Sequence, residues 1–169
     1  MARIDYPTRE SLQAEAAQAL DGMKPMNVFR MMARADSLAP PIFEATTRLF
    51  RKGGVELAPR LRQVAILRTA GETRCDYLVA HHEPISRRVG MSDLDIAACI
   101  SGDSASLSDA DRAVMQFTTE STSNVDVSDA AFAAVRKLLS DRQIAELTLV
   151  VGLYNCIARF LKGLRVDIE

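Results

Sequence analysis

Residues 140–161 read SDRQIAELTLVVGLYNCIARFL, and this stretch decides the fold. Ser140 and Asp141 form a typical helix start, because the serine oxygen accepts an orphan backbone N–H and the carboxylate favours the positive end of the helix dipole. The apolar run in the middle would also suit a strand, but the length and the cap favour one long helix. Its apolar residues occupy two faces, which predicts a helix both buried in a core and shared with another subunit. We therefore expect a homo-oligomer.

The Ser-Asp pair occurs at three further places, and apolar residues at helical spacing follow each one. These earlier starts are Ser92, Ser108 and Ser128, and Gly90 and Gly102 stand where glycines end the preceding helices. The N-terminal half shows weaker helical patterns interrupted by proline and glycine. Its predicted helices are 8–20, 27–35, 41–52 and 58–71. The whole pattern predicts an all-α protein without strands, repeats or linkers.

The composition is that of an ordinary globular protein, with 48% hydrophobic residues, 25% charged residues and a net charge of −1 over 169 residues. This length fits a single domain over residues 1–169. The near-neutral charge argues against nucleic acid or an anionic membrane as the partner. We expect no membrane-spanning segment and no secretory signal, and therefore a cytoplasmic protein.

Cysteine and histidine are scarce and poorly placed for metal binding. Cys75, Cys99 and Cys156 are odd in number and far apart, so we predict neither a disulfide framework nor a zinc site. The only histidines are the adjacent His81 and His82. We therefore predict no metal and no cofactor, and we expect Cys99 and Cys156 to be core residues.

Chemistry-bearing residues concentrate in one segment, 71–90, which reads GETRCDYLVAHHEPISRRVG. Thr73 is predicted to cap a helix, which would place Cys75 in the first turn, where the helix dipole and a neighbouring arginine lower the thiol pKa. His82 lies seven residues further on, nearly on the same face and about 10.5 Å along the axis. His81 points roughly 100° away. The proline two residues after His82 is expected to kink the helix or end it.

Three segments of the chain together match the motifs of a known protein family in their order and spacing. They are NVFR from residue 27, LAPRLRQVAILR from residue 57 continuing to VGMSD at 89–93, and SDRQIAELTLVVGLYN from residue 140 with ARF at 158–160. Together they resemble the carboxymuconolactone decarboxylase family, which includes the alkylhydroperoxidase D-like proteins. The resemblance implies an all-helical bundle assembled as trimers or hexamers. It also implies an active site on the helix that matches 73–88, near a subunit interface.

The chain departs from the patterns of both branches of this family. The peroxidase branch has a glutamate followed by Cys-x-x-Cys-x-x-x-His; Cys75 and His82 match the outer pair, but Leu78 replaces the second cysteine and Gln63 the glutamate. Without a second thiol, no intramolecular disulfide can complete a peroxidase cycle. The decarboxylase branch has an acidic residue where Leu78 stands. The sequence therefore resembles a divergent member.

The candidate catalytic residues are His82, Cys75, Tyr77 and Gln63. An ordinary histidine pKa suits proton transfer near neutral pH, which favours His82 as general acid or base. Tyr77 can donate a hydrogen bond to a substrate oxygen, and Gln63 can orient a substrate without moving a proton. Cys75 is either a reactive thiolate or a small buried filler. The candidate substrate-binding residues, whose arginines can hold a carboxylate, are Arg68, Arg74 and His81.

Three functions remain open at this point. The first is a cofactor-independent lyase, decarboxylase or isomerase in which His82 moves a proton on a small carboxylate, lactone or carbonyl substrate. The second is a single-cysteine peroxidase or thiol oxidoreductase that uses Cys75 and an external thiol. The third is an oligomeric binding protein without activity. The sequence does not name the substrate.

Overall fold

A computed structural model describes all 169 residues, and every regular element in it is helical, as the sequence predicts. Short 3-10 turns at Arg9–Ser11 and Asp36–Leu38 accompany nine α-helices. The helices are α1 Ala14–Asp21, α2 Asn27–Ala33, α3 Ala39–Phe50, α4 Pro59–Thr73, α5 Asp76–Arg88, α6 Asp93–Ser101, α7 Asp109–Ser123, α8 Asp129–Arg136 and α9 Asp141–Leu164.

The predicted Ser-Asp helix starts are confirmed. In α6, the backbone N–H of Asp95 donates to Ser92 Oγ at 3.1 Å, and the Asp95 carboxylate accepts from the Ser92 N–H at 3.0 Å. Ser140 makes the same reciprocal pair with Gln143 at the start of α9. Each such cap contributes about 1 kcal/mol to helix stability. Gly90 and Gly102, with φ of +86° and +90°, end α5 and α6 as expected.

The N-terminal helices differ from their predicted bounds where backbone geometry outweighs the apolar pattern. The predicted helix 8–20 splits into a 3-10 turn and α1, because Gln13 has an extended ψ of 152° and donates its N–H to Asp36 at 3.0 Å. Pro40 and Pro41, expected to separate helices, lie in the first turn of α3. Proline is tolerated there because the first N–H groups of a helix have no intrahelical acceptor.

The chain forms two compact units. The first combines Met1–Gly54 with Leu161–Glu169, and the second is Val55–Phe160. Within the first unit, a hydrogen bond connects the N-terminal segment to the C-terminal tail: the N–H of Arg3 donates to the Leu164 carbonyl at 2.8 Å. All candidate catalytic residues belong to the second unit.

Helix α4 is the central element of the second unit and contacts α5, α6 and α7. Its nine consecutive residues from Arg62 to Ala70 are all buried, so this helix is enclosed on every side. Gly71 permits the close approach of α6, since a Cβ at this position would lie 2.1 Å from the Ile100 carbonyl oxygen. Helix α4 therefore places Gln63 and Arg62 deep inside the unit.

Helix α9 is buried along one side and open along the other. Its buried positions include Leu147, Val150, Val151 and Tyr154, whereas Leu149 is 72% exposed. Cys156 is exposed, so the expectation that it is a core residue is wrong, while Cys99 is fully buried as expected. By length and composition alone, α9 is long and apolar enough to cross a membrane. Buried core helices of soluble proteins meet the same criterion.

Candidate active site

The site is built around His82, which lies on α5 and is only 6% exposed. Its Nδ1 is 3.0 Å from Oε1 of Gln63 on α4. Ser86, one turn after His82, lies 3.3 Å from the same Gln63 oxygen and donates to the His82 carbonyl at 2.8 Å. The contact between α4 and α5 thus joins His82 and Gln63, two residues that the sequence singled out. Ser86 was missed, although its i+4 spacing from His82 could have revealed it.

Gln63 is fully buried, and its amide nitrogen Nε2 has no hydrogen-bond partner in the structure. Leaving a buried amide donor unsatisfied costs about 1–3 kcal/mol. The oxygen of the same amide is occupied by its contacts with His82 and Ser86. An oxygen atom of a bound ligand would satisfy the remaining N–H groups.

Tyr154 of α9 closes another side of the imidazole. The two rings meet edge to face at 84°, with their centroids 5.1 Å apart. Tyr154 is 2% exposed, and burial raises the pKa of its hydroxyl, so the ring remains an uncharged phenol. In the sequence, Tyr154 is one of many apolar positions of α9, so nothing there predicted its contact with the His82 imidazole.

Arg62 brings a buried positive charge to the same region, and it too was missed. Its side chain is 8% exposed, and burial lowers the pKa of its guanidinium, which nevertheless stays protonated at neutral pH. Glu146 is the carboxylate whose charge acts on it. The oxygens of Glu146 also accept from the N–H groups of Glu56 and Leu57, at 2.8 and 2.7 Å, and from Arg142.

The environment keeps His82 neutral. Burial, together with the nearby charges of His81 and Arg62 as smaller causes, lowers the pKa of His82 from 6.5 to about 3. The sequence-based expectation of an ordinary histidine pKa is therefore wrong for this buried residue. In the tautomer where Nδ1–H donates to Gln63, Nε2 is unprotonated and carries the lone pair of a base.

Cys75 stands at the entrance to α5 rather than in its first turn. It is the N-cap residue, is 2% exposed, and donates its backbone N–H to the Ala70 carbonyl at 2.9 Å. Thr73 does not cap α5 as predicted, because it is the last residue of α4 and its hydroxyl donates to the Thr69 carbonyl at 2.7 Å. The chain turns between the two helices at Arg74, whose φ is +50°.

Helix α5 continues through Pro84 to Arg88, so of the two expected alternatives, a kink or a helix end, the helix end does not occur. Its other candidate residues form a separate pair: the rings of Tyr77 and His81 lie 4.4 Å apart, one turn from each other. Tyr77 is 5% exposed and His81 is half-buried. The structure thus pairs Tyr77 with His81, and it joins His82 to Gln63.

The two arginines proposed to bind substrate lie in different surroundings. Arg68 is buried and engaged within the protein: it forms an ion pair with Glu72, donates to Thr119 Oγ1 at 2.8 Å and to the Ile100 carbonyl at 3.1 Å. It holds α4, α6 and α7 together, which argues against a role in holding a substrate carboxylate. Arg74 is an exposed residue at the end of α4. No group of three or more His, Cys, Asp or Glu side chains is arranged to hold a metal ion.

Solved structures with the same fold include proteins described as peroxidase-related. An uncharacterized peroxidase-related protein from Ralstonia eutropha JMP134, with an alkylhydroperoxidase AhpD core, is 18% identical, with a TM-score of 0.81 over 99% of this chain and 92% of that one. A peroxidase-related protein from Silicibacter sp. TM1040 has the same identity and coverage and a TM-score of 0.80. At these identities the likeness shows the fold alone.

The debrominase Bmp8 is a further structural neighbour. Its cysteine-to-alanine variant in complex with 2,3,4-tribromopyrrole is 17% identical to this chain, with a TM-score of 0.71 over 100% of this chain and 89% of that one. No curated protein sequence matches the chain. A family model does match: residues 40–120 fit the carboxymuconolactone decarboxylase family. These residues include α4 with Gln63, the turn with Cys75, and α5 with His82. Residues 40–120 are therefore similar to the carboxymuconolactone decarboxylase family, as the sequence motifs predict, and the chain as a whole has the AhpD-like all-α fold.

Proposed function

We propose that this protein is a cofactor-independent enzyme in which neutral His82 transfers a proton on a small anionic substrate. The observation that carries the proposal is the buried pair of His82 and Gln63, whose amide nitrogen is left without a partner. The reaction class is isomerisation or decarboxylation next to a carboxylate, lactone or carbonyl group.

The charge balance of the site supports an anionic substrate. Gln63 is neutral where the peroxidase branch has a glutamate, and the guanidinium of Arg62 is buried nearby. A carboxylate that enters this region would meet a positive charge and an unsatisfied amide donor. Its negative charge would also raise the pKa of His82 and make the imidazole a stronger base. The substrate itself thereby brings a negative charge close to the imidazole.

The chemistry needs only the residues already described. For a β,γ-unsaturated acid, His82 Nε2 removes a proton from the α-carbon, the electron pair forms the α,β double bond, and the proton returns at the γ-carbon. Negative charge collects on the carboxylate or carbonyl oxygen during this transfer. The Gln63 amide and the Arg62 guanidinium would stabilise that oxygen. In a decarboxylation, the C–C bond to the departing CO₂ breaks instead, its electron pair stays on the carbon, and His82 delivers to that carbon a proton that it takes up from water.

A panel of β,γ-unsaturated acids and unsaturated lactones, beginning with but-3-enoate, tests the proposal by proton NMR. We expect His82→Gln to lower turnover of any responsive substrate by about 10²–10⁴-fold. Cys75→Ser is the matched control, because it changes the other reactive residue of the segment, and we expect it to retain activity. Unchanged turnover in His82→Gln would exclude the mechanism, and tight binding without turnover would favour the non-catalytic alternative.

A single-cysteine redox function is the second candidate. Its support is the match of Cys75 to the first cysteine of the peroxidase pattern and the likeness to Bmp8, which was studied as a cysteine-to-alanine variant. Against it, Cys75 is only 2% exposed. The rate of alkylation by iodoacetamide as a function of pH distinguishes the two cases. A midpoint well below the usual thiol pKa of about 8.5 would favour this function, and one at or above that value would exclude it.

A further inference from the structure

The hydroxyl of Ser86 lies between two oxygen acceptors but has a single proton to donate. Its Oγ is 2.8 Å from the His82 carbonyl oxygen and 3.3 Å from Oε1 of Gln63, and Ser86 is fully buried. A serine hydroxyl combines one donor proton with two lone pairs. Because the shorter contact takes the proton, Ser86 turns its lone pairs toward the Gln63 oxygen. That contact between two oxygens then contains no proton.

The opposite orientation of the Gln63 amide would remove this mismatch. Turning the terminal amide by half a rotation exchanges its oxygen and its nitrogen, which occupy nearly the same space. One N–H of Gln63 would then donate to Ser86 Oγ and the other to Nδ1 of His82, across the contacts that Oε1 makes at 3.3 and 3.0 Å. The amide nitrogen that is unpartnered in the structure would gain two acceptors. Only a carbonyl oxygen would be left unpaired, which proteins tolerate better than an unpaired N–H.

The orientation of the amide decides which ring nitrogen of His82 carries the proton. When Oε1 of Gln63 faces the ring, Nδ1 of His82 is the donor, and Nε2 of His82 is left as the base. When the amide N–H faces the ring, Nδ1 must accept, and the proton lies on Nε2 of His82. The ring is neutral in both cases, as its burial requires. Passing from the second state to the first releases one proton from Nε2 to water and takes one up at Nδ1.

We propose that Ser86 and Gln63 are positioning residues that keep the proton of His82 on Nε2 until an anion binds. The anion accepts the Gln63 N–H groups and draws the amide into the orientation seen in the structure, with Oε1 against Nδ1. The proton then lies on Nδ1, and Nε2 of His82 is free to act as the base. The inference rests on the proposed function for the nature of the anion, a small carboxylate, and adds how its binding activates the base.

The position of the proton is measured by long-range ¹H–¹⁵N NMR at neutral pH, because the shift of each ring nitrogen shows whether it is protonated. His81 and His82 are the only histidines, so the spectrum of His82→Gln assigns both. We expect the proton on Nε2 of His82 in the free wild-type protein. Gln63→Glu, whose ionised carboxylate can only accept, should place it on Nδ1 without a ligand. A proton on Nδ1 in the free wild-type protein would overturn the proposal.

The switch itself is tested with but-3-enoate, and neutral but-3-en-1-ol of the same chain length is the control. Saturating but-3-enoate should place the proton on Nδ1, whereas the alcohol should leave it on Nε2. Ser86→Ala removes an acceptor of the rotated amide, so the switch costs less. We therefore expect this variant to bind but-3-enoate about fivefold more tightly in NMR titrations, the equivalent of one hydrogen bond. Loss of a serine with a purely structural role would weaken binding instead.

Thr118→Val is the matched control for the loss of a buried hydroxyl. Thr118 is fully buried on α7, and its hydroxyl donates to the Val114 carbonyl, four residues before it, at 2.7 Å. We expect its affinity for but-3-enoate to equal that of the wild type. Equal or weaker binding in Ser86→Ala would overturn the coupling, as would one tautomer with and without bound but-3-enoate. If the wild-type protein does not bind but-3-enoate, the proposed substrate class fails, and the tautomers of the free wild type and Gln63→Glu still decide whether Gln63 places the proton.

Discussion

Arg60 and Arg62 are two residues apart on α4, yet their surroundings are opposite. Arg60 donates to Asp111 at 2.8 Å, to Asp95 at 3.0 Å and to the Gly90 carbonyl at 3.1 Å. These partners raise the pKa of Arg60, with the Asp111 hydrogen bond as the largest cause. Burial instead lowers the pKa of Arg62, which lies in the region of His82 and Tyr154.

The difference separates a cluster that joins helices from the candidate active site. Around Arg60, two carboxylates from α6 and α7 neutralise one cation, so the charges tie three helices together without any ligand. Around His82, the protein supplies a cation and an unsatisfied amide but keeps the imidazole neutral. This combination is the basis of the proposal that an anion binds there.

The largest effect we expect is an acid destabilisation that originates in His82. Its pKa is 6.5 when unfolded and about 3 when folded, so the unfolded chain binds the proton first as pH falls. This group leaves the unfolding free energy unchanged above pH 6.5, and stability is then lost progressively between pH 6.5 and 3, by about 1.4 kcal/mol per pH unit and up to about 5 kcal/mol in all. Urea unfolding across this range measures it.

His82→Gln is the control for this titration, because it removes the ionisable group and keeps a polar side chain. The difference in unfolding free energy between wild type and this variant isolates His82 from carboxylates that also lose stability in acid. We expect the wild-type value to fall more steeply below pH 6.5. Parallel curves for the two proteins would show that His82 is not buried in a neutral state.

The next effect tests the two arginines against each other. Arg60→Met leaves Asp111, which is 1% exposed, with its charge uncompensated, and we expect a loss of about 3 kcal/mol. Arg62→Met replaces a buried cation with an apolar side chain of similar length, and we expect its unfolding free energy to change by less than about 1 kcal/mol in either direction. Equal losses in the two variants would remove the distinction between the clusters.

A smaller effect concerns the close approach of α4 and α6 at Gly71, next to the hydrogen bonds of Arg68. Gly71→Ala brings a Cβ within 2.1 Å of the Ile100 carbonyl oxygen, a backbone atom, so α6 must shift and about 2 kcal/mol should be lost. Gly163→Ala is the matched control in α9, where an added Cβ meets nothing within 4 Å. Helix propensity predicts that this variant is stabilised by up to about 1 kcal/mol. Equivalent thermal shifts would contradict the described packing of α4 and α6.

The sequence predicts best what local interactions decide. The Ser-Asp starts and the glycine ends were found because a cap needs only residues within one turn of each other. The boundary at Cys75 was misplaced because it depends on the left-handed turn at Arg74, which a non-glycine residue rarely adopts. Cys156 was misplaced because the apolar pattern of α9 cannot tell a covered face from an open one.

For the candidate site, the sequence predicted the residues better than their electrostatic environment. His82 and Gln63 were identified through the family pattern, and the structure joins them at 3.0 Å. The low pKa of His82 was not foreseen, because it arises from burial beneath Tyr154, 72 positions along the chain, and from the charge of Arg62. Arg62 and Arg68 are both arginines on α4, six residues apart. Only their tertiary contacts show that Arg68 joins three helices, whereas Arg62 is the candidate anion-binding residue.

The pKa of the His82 imidazole, followed by ¹⁵N NMR with and without saturating but-3-enoate, tests the central claim most directly. The account predicts a neutral imidazole with a pKa near 3 in the free protein. It further predicts a rise of at least about one unit when the carboxylate binds, and a similar rise in ligand-free Gln63→Glu. A free-protein pKa near the ordinary 6.5, or one that neither the carboxylate nor Gln63→Glu changes, would contradict it.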